Sequence, residues 1–443
     1  MKKKLAKVTA IALASVMALS LTACGGSKGK ADNSNSDSGD EVNLRVAWWG
    51  GDDRHTATEE AIKKFMEKNP NIKVSTEYGA WTGWEEKQSL SILSGESADI
   101  LQIGSNWVHD YSKGGESYLD LYQYKDVLDL SQFPEDKVKS NEVNGKLMAV
   151  PISLTGRLFY WNKSTFDEVG VPLPTDEASL LAAGAAFKAF DNDYYPLAMG
   201  EYDRSIFLVY YLQSKYGKEW IEDGKLNYTE AEIKEGMDFI KNLEDNHVLP
   251  TIATIQGDMA DSLDKNAKWI DGKYAGILEW DSGVSKVKAA LEGSINKPGQ
   301  EFVIGDFIKL GDYNGGSTKI SMDFAIKANT KHPKEAAMLL NYLLNDPEAI
   351  EILSTTRGVP CSEAALKVLE EKNIGDPMTK EANAKLLGFS KFIQDPQFDN
   401  SELKANPDGL YYKVFGKLSA GDIDSAEAAK TLYKGVVDVL EEN

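Results

Sequence analysis

Two cysteines, four histidines and five arginines are all that the 443 residues contain of these types, and each shortage closes off chemistry. Cys24 and Cys361 make no CxxC metal pattern, and with Cys24 modified as argued below no intramolecular disulfide can form, which leaves Cys361 as a small packing residue. The histidines, His55, His109, His247 and His332, form no HExxH or other close pair. There is no P-loop, and no GxGxxG opens a helix after a strand. The one GxSxG string, Gly25-Gly26-Ser27-Lys28-Gly29, lies in a polar stretch and not on the strand–turn–helix that a nucleophile elbow requires. Asp191-Asn192-Asp193 and Asp422-Ile423-Asp424 lack the glycine and distal glutamate of a calcium loop. Neither cofactor nor metal is expected. Paired carboxylates for glycoside hydrolysis stay open, since 69 acidic residues allow many pairs.

An excess of positive charge is missing too. The net charge is −20, and removing the four lysines of the leader takes it to about −24. That excludes nucleic acid and an electrostatic grip on anionic lipid. The apolar run Val8 to Leu21 is too short to span a bilayer. It follows Lys2, Lys3, Lys4 and Lys7 and has the form of a signal peptide. Leu21-Thr22-Ala23-Cys24 has the pattern of a bacterial lipobox, so residues 1–23 are expected to be removed and Cys24 to carry a diacylglycerol. At about 0.8 kcal/mol per buried methylene, two long chains anchor a protein stably. Residues 24–40, mostly Gly, Ser, Asn and Asp, then form a disordered tether.

What remains, about 400 residues, suffices for two or three cores. Val42 to Trp48 alternates as a strand, Thr56 to Lys68 carries one apolar helical face, and Asn69-Pro70 stops it. A strand over Ile72–Tyr78, a helix over Trp84–Leu93 and a strand over Asp99–Gly104 complete a strand–helix alternation that predicts a mostly parallel sheet covered by helices. Lys146–Ile152 and Arg157–Trp161 are extended, joined through Ser153–Gly156, and suggest a hinge. The pattern then restarts with helices near 177–190, 202–216 and 230–244 and strands over 195–199, 273–280 and 302–310. Pro333 and Pro347 stand at helix starts. The expected class is α/β with two lobes in succession.

Aromatic residues gather where these strands end. Trp48-Trp49 leads into Asp52-Asp53-Arg54-His55, Trp81 and Trp84 follow the second strand, Asn106-Trp107 the third, and Glu279-Trp280-Asp281 closes a later one, with Tyr160-Trp161 on the crossover. Ligands of open α/β sheets bind at the carboxyl ends of strands. A pyranose offers an apolar C–H face for a flat ring and a hydroxyl rim for polar groups. Trp49, Trp81, Trp84 and Trp107 are expected on a ligand surface, while Trp48 and Trp280 are balanced between surface and core. In a lysine-rich chain, arginine survives only as Arg45, Arg54, Arg157, Arg204 and Arg357, and its planar fork suits bidentate partners.

Gly145-Lys146-Leu147 running into Pro151-Ile152, Tyr160-Trp161-Asn162-Lys163, Asp271 to Ile277 before Glu279-Trp280, and His332 to Ala337 before Leu343-Leu344 occur in the order found in one family. The chain resembles the extracellular solute-binding proteins of carbohydrate ABC importers, the broad family of maltose-binding protein. Trp48-Trp49-Gly50-Gly51 with Arg54-His55, Glu77-Tyr78 with Trp81-Gly83, Asn106-Trp107 and Arg357-Gly358-Val359-Pro360 are most similar to the oligogalacturonide-binding members. Thr155-Gly156-Arg157 departs at its middle residue, where alanine is expected. The resemblance implies a two-lobe periplasmic-binding-protein-like fold with hinge crossovers and a ligand cleft between the lobes. Lobe 1 would hold 41–154 plus 300–345, and lobe 2 would hold 155–299 plus 346–443. It implies a monomer without catalysis that passes an oligosaccharide, uronic acids included, to membrane permease subunits. Lysine richness and the tether suit a Gram-positive host with the protein lipid-anchored outside the cytoplasm. The site is expected at Trp49, Asp53, Arg54, His55, Trp81, Trp84, Asn106, Trp107, Arg157, Tyr160, Arg204, Glu279, Trp280, Asp281 and Arg357, with Arg54, Arg157 and Arg204 converging on the sugar's carboxylates. The competing reading is a surface lipoprotein that degrades polysaccharide, and a third is an adhesion or scaffolding lipoprotein.

Overall fold

One 14-residue strand, Ala149–Asn162, ties the molecule together. The structure is a computed structural model that describes residues 41–112, 114–258 and 263–442. The leader, Cys24 and the tether lie outside the described residues. The elements that position the site are β1 (Val42–Trp49), α1 (Asp52–Lys68), β2 (Ile72–Gly79), α2 (Trp84–Ser94), β3 (Ile100–Ile103), β4 (Ala149–Asn162), α3 (Glu201–Tyr216), β5 (Gly276–Trp280), β6 (Phe302–Ile304), β7 (Ser317–Ile326) and β8 (Phe392–Ile393).

Local sequence explains the first of these directly. In β1, Val42, Leu44, Val46 and Trp48 point into one core, as the two-residue period of a strand demands. Thr58, Ala61, Ile62 and Phe65 form the buried stripe of α1 at helical spacing. Asn69 ends the helix by donating both its backbone N–H and its side-chain amide to the Phe65 carbonyl. Pro333, Pro347 and Pro377 each open a helix, where the missing N–H costs nothing.

The strands form one eight-stranded sheet in the order β6-β4-β7-β3-β1-β2, with β5 beside β4 and β8 beside β7. Only β1–β2, β1–β3 and β7–β8 are parallel. β7 runs antiparallel to β3 and β4, and β4 antiparallel to β5 and β6. The sheet is therefore mixed, not mostly parallel. The cause is β7, absent from the strands expected above although its alternate residues Thr318, Ile320, Met322, Phe324 and Ile326 are buried. The expected break at Ser153–Gly156 is bridged, because those residues pair with β7 and the strand runs on. The expected strand at 195–199 is reduced to isolated bridges at Tyr195 and Ala198.

β4 pairs with β7 in its first half and with β5 and β6 in its second, so it passes from one packing core to the other. The first lobe packs on both faces of its part of the sheet, around Val46, Trp48 and Phe324 on one side and Trp84, Leu101 and Trp107 on the other. The second has its own core around Phe159, Trp161, Phe207 and Phe415. Trp161 is clamped there: a Cβ at Gly276 or at Gly305 would lie 2.2 Å from its ring. Core membership shifts the expected lobe limits. Ile304, Ile308 and Leu310 pack with the second lobe, and Ala349, Leu353 and Cys361 with the first.

Candidate functional site

The carboxyl ends of β1, β2 and β3 carry the tryptophans, but strand alternation and loop packing sort them. Trp48 faces the core, and its indole N–H donates to Nδ1 of His55 over 3.1 Å. His55 in turn stacks on Tyr78 at 4.4 Å, and burial lowers its pKa. This makes His55 a brace between β1 and β2. Trp49 is half-buried, its ring 5.0 Å from Trp81 and 5.8 Å from Trp107. Trp81 is 44% exposed. Trp107 is fully buried, with its N–H donating to Glu85 over 2.8 Å, and Trp84 is buried against Gly79. The expected platforms Trp84 and Trp107 are thus core, and Trp49 with Trp81 form the open aromatic surface that they support. Asn106 is buried and donates to Asp110 over 2.9 Å. Asp110 also accepts from Asn400 of the opposite lobe over 3.2 Å. Burial pushes the Asp110 pKa up to about 6. Asp53 is exposed in the first turn of α1.

A second cluster sits where β4 crosses. Arg157 donates to the Leu278 carbonyl over 2.9 Å and pairs with Glu279 at 2.7 Å and Asp203 of α3 at 2.9 Å. Its guanidinium lies 4.1 Å from the Trp280 ring. Lys319 of β7 stands 4.5 Å from the same ring and pairs with Asp399. Burial works against the charge on Arg157, but Asp203 and Glu279 outweigh it and raise its pKa. Asp203 is pushed up to about 6 by burial, against the pull of Arg157. Asp399 is buried as well, yet Lys319 and Lys404 hold it down at about 2. A recess bordered by Arg157, Trp280, Phe307 and Gln394 opens beside this cluster. Lys319, Asp203 and Asp399 escaped sequence reasoning. Each pairs with a residue dozens of positions away, and only the polar position of Lys319 in an otherwise alternating strand hinted at it.

The remaining expected residues divide. The expected convergence of Arg54, Arg157 and Arg204 is replaced by three separate sets of partners, with Arg54 at the end of β1, Arg157 at the crossover and Arg204 in the second lobe's interior. Arg204 is 2% exposed and held inside the second lobe by Glu244 at 2.6 Å and the carbonyls of Met199 and Pro250. Tyr160 is core, its hydroxyl donating to the Trp280 carbonyl over 3.3 Å. Asp281 is buried and saturated by Thr155, Gly156, Ser282 and Asn383, which locks the crossover to the helix Pro377–Phe389. Arg54 and Arg357 meet at the end of β1. Arg54 donates to the carbonyls of Trp49 (2.9 Å) and Thr356 (3.0 Å). Arg357 donates to Gln102 (2.8 Å) and Thr58 (2.9 Å). Burial lowers the Arg54 pKa to about 10, and burial plus the neighbouring Arg54 lowers that of Arg357.

Among the described residues no cluster of His, Cys, Asp or Glu could hold a metal ion, and no helix is long and apolar enough to cross a membrane. The accessible aromatic residues of the site thus fall into two groups: an indole surface at the ends of β1 and β2 on the first lobe, and a cation-backed tryptophan at the crossover. Each group offers a flat aromatic face beside polar side chains, the chemistry that a polyhydroxylated ring can use.

A sequence profile of bacterial extracellular solute-binding proteins matches residues 60–382. The structure is similar to a periplasmic solute-binding protein of Pectobacterium atrosepticum, with TM-score 0.82 and 32% identity over 90% of this chain and 99% of that one. It is also similar to a periplasmic oligogalacturonide-binding protein of Yersinia enterocolitica in complex with saturated digalacturonic acid, with TM-score 0.80 and 31% identity over 91% and 99%. A carbohydrate ABC transporter substrate-binding protein of Streptococcus pneumoniae is 25% identical over 372 residues, 78% of this chain and 70% of that protein. Putative binding proteins of Brucella are 28% identical over 192 residues, and the match spans about half their length, 46%.

Proposed function

The chain belongs to the bacterial extracellular solute-binding proteins, and from that premise we propose that it is the receptor of an ABC sugar importer, capturing an oligosaccharide that contains uronic acid and delivering it to membrane permease subunits. The observation that carries the reading is the open Trp49–Trp81 surface at the end of β1, with a second, cation-backed ring, Trp280, at the crossover: two aromatic faces of the kind on which a sugar stacks. The uronate component draws support from the Yersinia protein, which is bound to digalacturonic acid, and the transporter role from the pneumococcal relative. Closure of the lobes about β4 and β7 would bury the sugar. A net charge near −24 repels an anion only at long range, because salt limits that field to about 8 Å. Micromolar affinity corresponds to about −8 kcal/mol, within reach of two stacked rings and a few charge-assisted hydrogen bonds after ordering costs. The protein acts as a monomer, anchored outside the cytoplasm through lipid on Cys24, and does not alter its ligand.

Titration calorimetry with digalacturonate and digalactose tests the ligand class. Binding is expected for digalacturonate, and the sugar recovered afterwards should be unchanged. Shortened products would replace the receptor by an enzyme, and absence of binding to either sugar would remove the sugar-receptor reading. For the anchor, wild-type protein is expected in the membrane fraction and the Cys24→Ala protein outside it. Equal partition of the two would remove the lipid.

A further inference from the structure

Four arginines turn inward in this protein, and their partners differ. Arg157 has Asp203 and Glu279, and Arg204 has Glu244. Arg54 and Arg357 have no carboxylate partner among the described residues. Their hydrogen bonds end on the carbonyls of Trp49 and Thr356, the Gln102 amide and the Thr58 hydroxyl. The two are also joined. Gln102, which accepts from Arg357, donates to the same Trp49 carbonyl that accepts from Arg54. Thr58, which accepts from Arg357, donates to the carbonyl of Arg54. Each guanidinium leaves one terminal nitrogen, Nη2 of Arg54 and Nη1 of Arg357, without a hydrogen-bond partner among the described residues.

Two adjacent like charges taken out of water without a counter-ion are costly, because neutral dipoles replace only part of their hydration. The charge of Arg54 depresses the charged form of Arg357, and the field of both reaches His55. Such a pair stands ready for an anion, and arginine's fork favours a planar one. Its place is the carboxyl end of β1, where Arg54 holds the backbone carbonyl of Trp49, the residue whose ring borders the exposed Trp81. Arg157, by contrast, is already neutralised, so a carboxylate arriving there would compete with two resident ones.

We infer that Arg54 and Arg357 together form the carboxylate-recognition site for the acidic sugar, and that Arg157 instead backs the Trp280 ring. This rests on the acidic-oligosaccharide reading above. The test is calorimetry of wild type, Arg54→Gln and Arg357→Gln with digalacturonate and with digalactose, alongside melting curves. Arg54→Gln is expected to weaken digalacturonate binding about 30-fold, the scale of lost charge-assisted hydrogen bonds, and digalactose binding less than about 3-fold. Arg357 is buried, so should its variant fail to fold, the half-buried Arg54 decides alone. A folded Arg54→Gln protein that keeps the wild-type preference for the acidic sugar overturns the pair while leaving the receptor reading standing. A wild type that does not bind digalacturonate overturns the pair together with the acidic part of the proposed function.

Discussion

Arg157→Ala should destabilise the protein by about 3–5 kcal/mol at pH 7.5, the cost of removing one partner from a buried ion pair, and lower the melting temperature by roughly 4–6 °C. The substitution leaves Asp203 and Glu279 facing one another without the guanidinium that holds both. It also strips the Trp280 ring of the cation 4.1 Å away, so sugar affinity should fall for acidic and neutral ligands alike. The loss should depend on pH. The folded-state pKa of Asp203, about 6, lies above its ordinary 3.8. Its contribution to stability is therefore fully present below pH 3.8 and lost as pH rises through 6. Without Arg157, whose charge lowers that pKa, the folded value climbs further and the window widens upward. The melting deficit of Arg157→Ala relative to wild type should shrink between pH 7.5 and pH 5. A deficit that is constant or larger at pH 5 would show that the carboxylates are not its source.

The indoles at the end of β1 should separate just as sharply. Trp107→Ala empties a fully buried site and leaves Glu85 without its indole donor. A cost of about 3–5 kcal/mol is expected, read by chemical denaturation. Trp81→Ala removes a ring that is 44% exposed. It should cost about 1 kcal/mol or less in stability and lower sugar affinity about tenfold, the scale of one aromatic stacking contact. Equal loss of stability in both variants with affinity retained in Trp81→Ala would move Trp81 into the core and remove the stacking surface. Loop position alone does not separate these residues. Trp81 and Trp84 stand three residues apart after the same strand, and the first is open while the second packs against Gly79.

Much of the scaffold was legible because it depends on neighbours in the chain. The alternation in β1, the stripe of α1, the stop at Asn69-Pro70 and the proline-opened helices are all short-range patterns, and they reappear where they were expected, except that α1 begins four residues earlier, at Asp52. The extended crossover near 146–161 was legible for the same reason. β7 carries an equally readable alternation, but its antiparallel pairing with β3 and β4 joins residues more than 150 positions apart, which no local pattern records. Which aromatic faces solvent was less legible, since Trp107 is closed off by Glu85 and Trp49 from other segments.

The family, the two-lobe α/β architecture and the gathering of tryptophans at strand ends were determined by the sequence itself, through local periodicity and ordered motifs. The charge balance of the site was decided only by the tertiary structure. Five arginines look alike along the chain, yet Asp203 reaches Arg157 from α3 and Glu244 reaches Arg204 from 40 residues away, while Arg54 and Arg357 are brought together across some 300 residues with no acid paired to either among the described residues. Coulomb energy depends on distance in space and on exclusion of water, and neither quantity exists until the chain has folded.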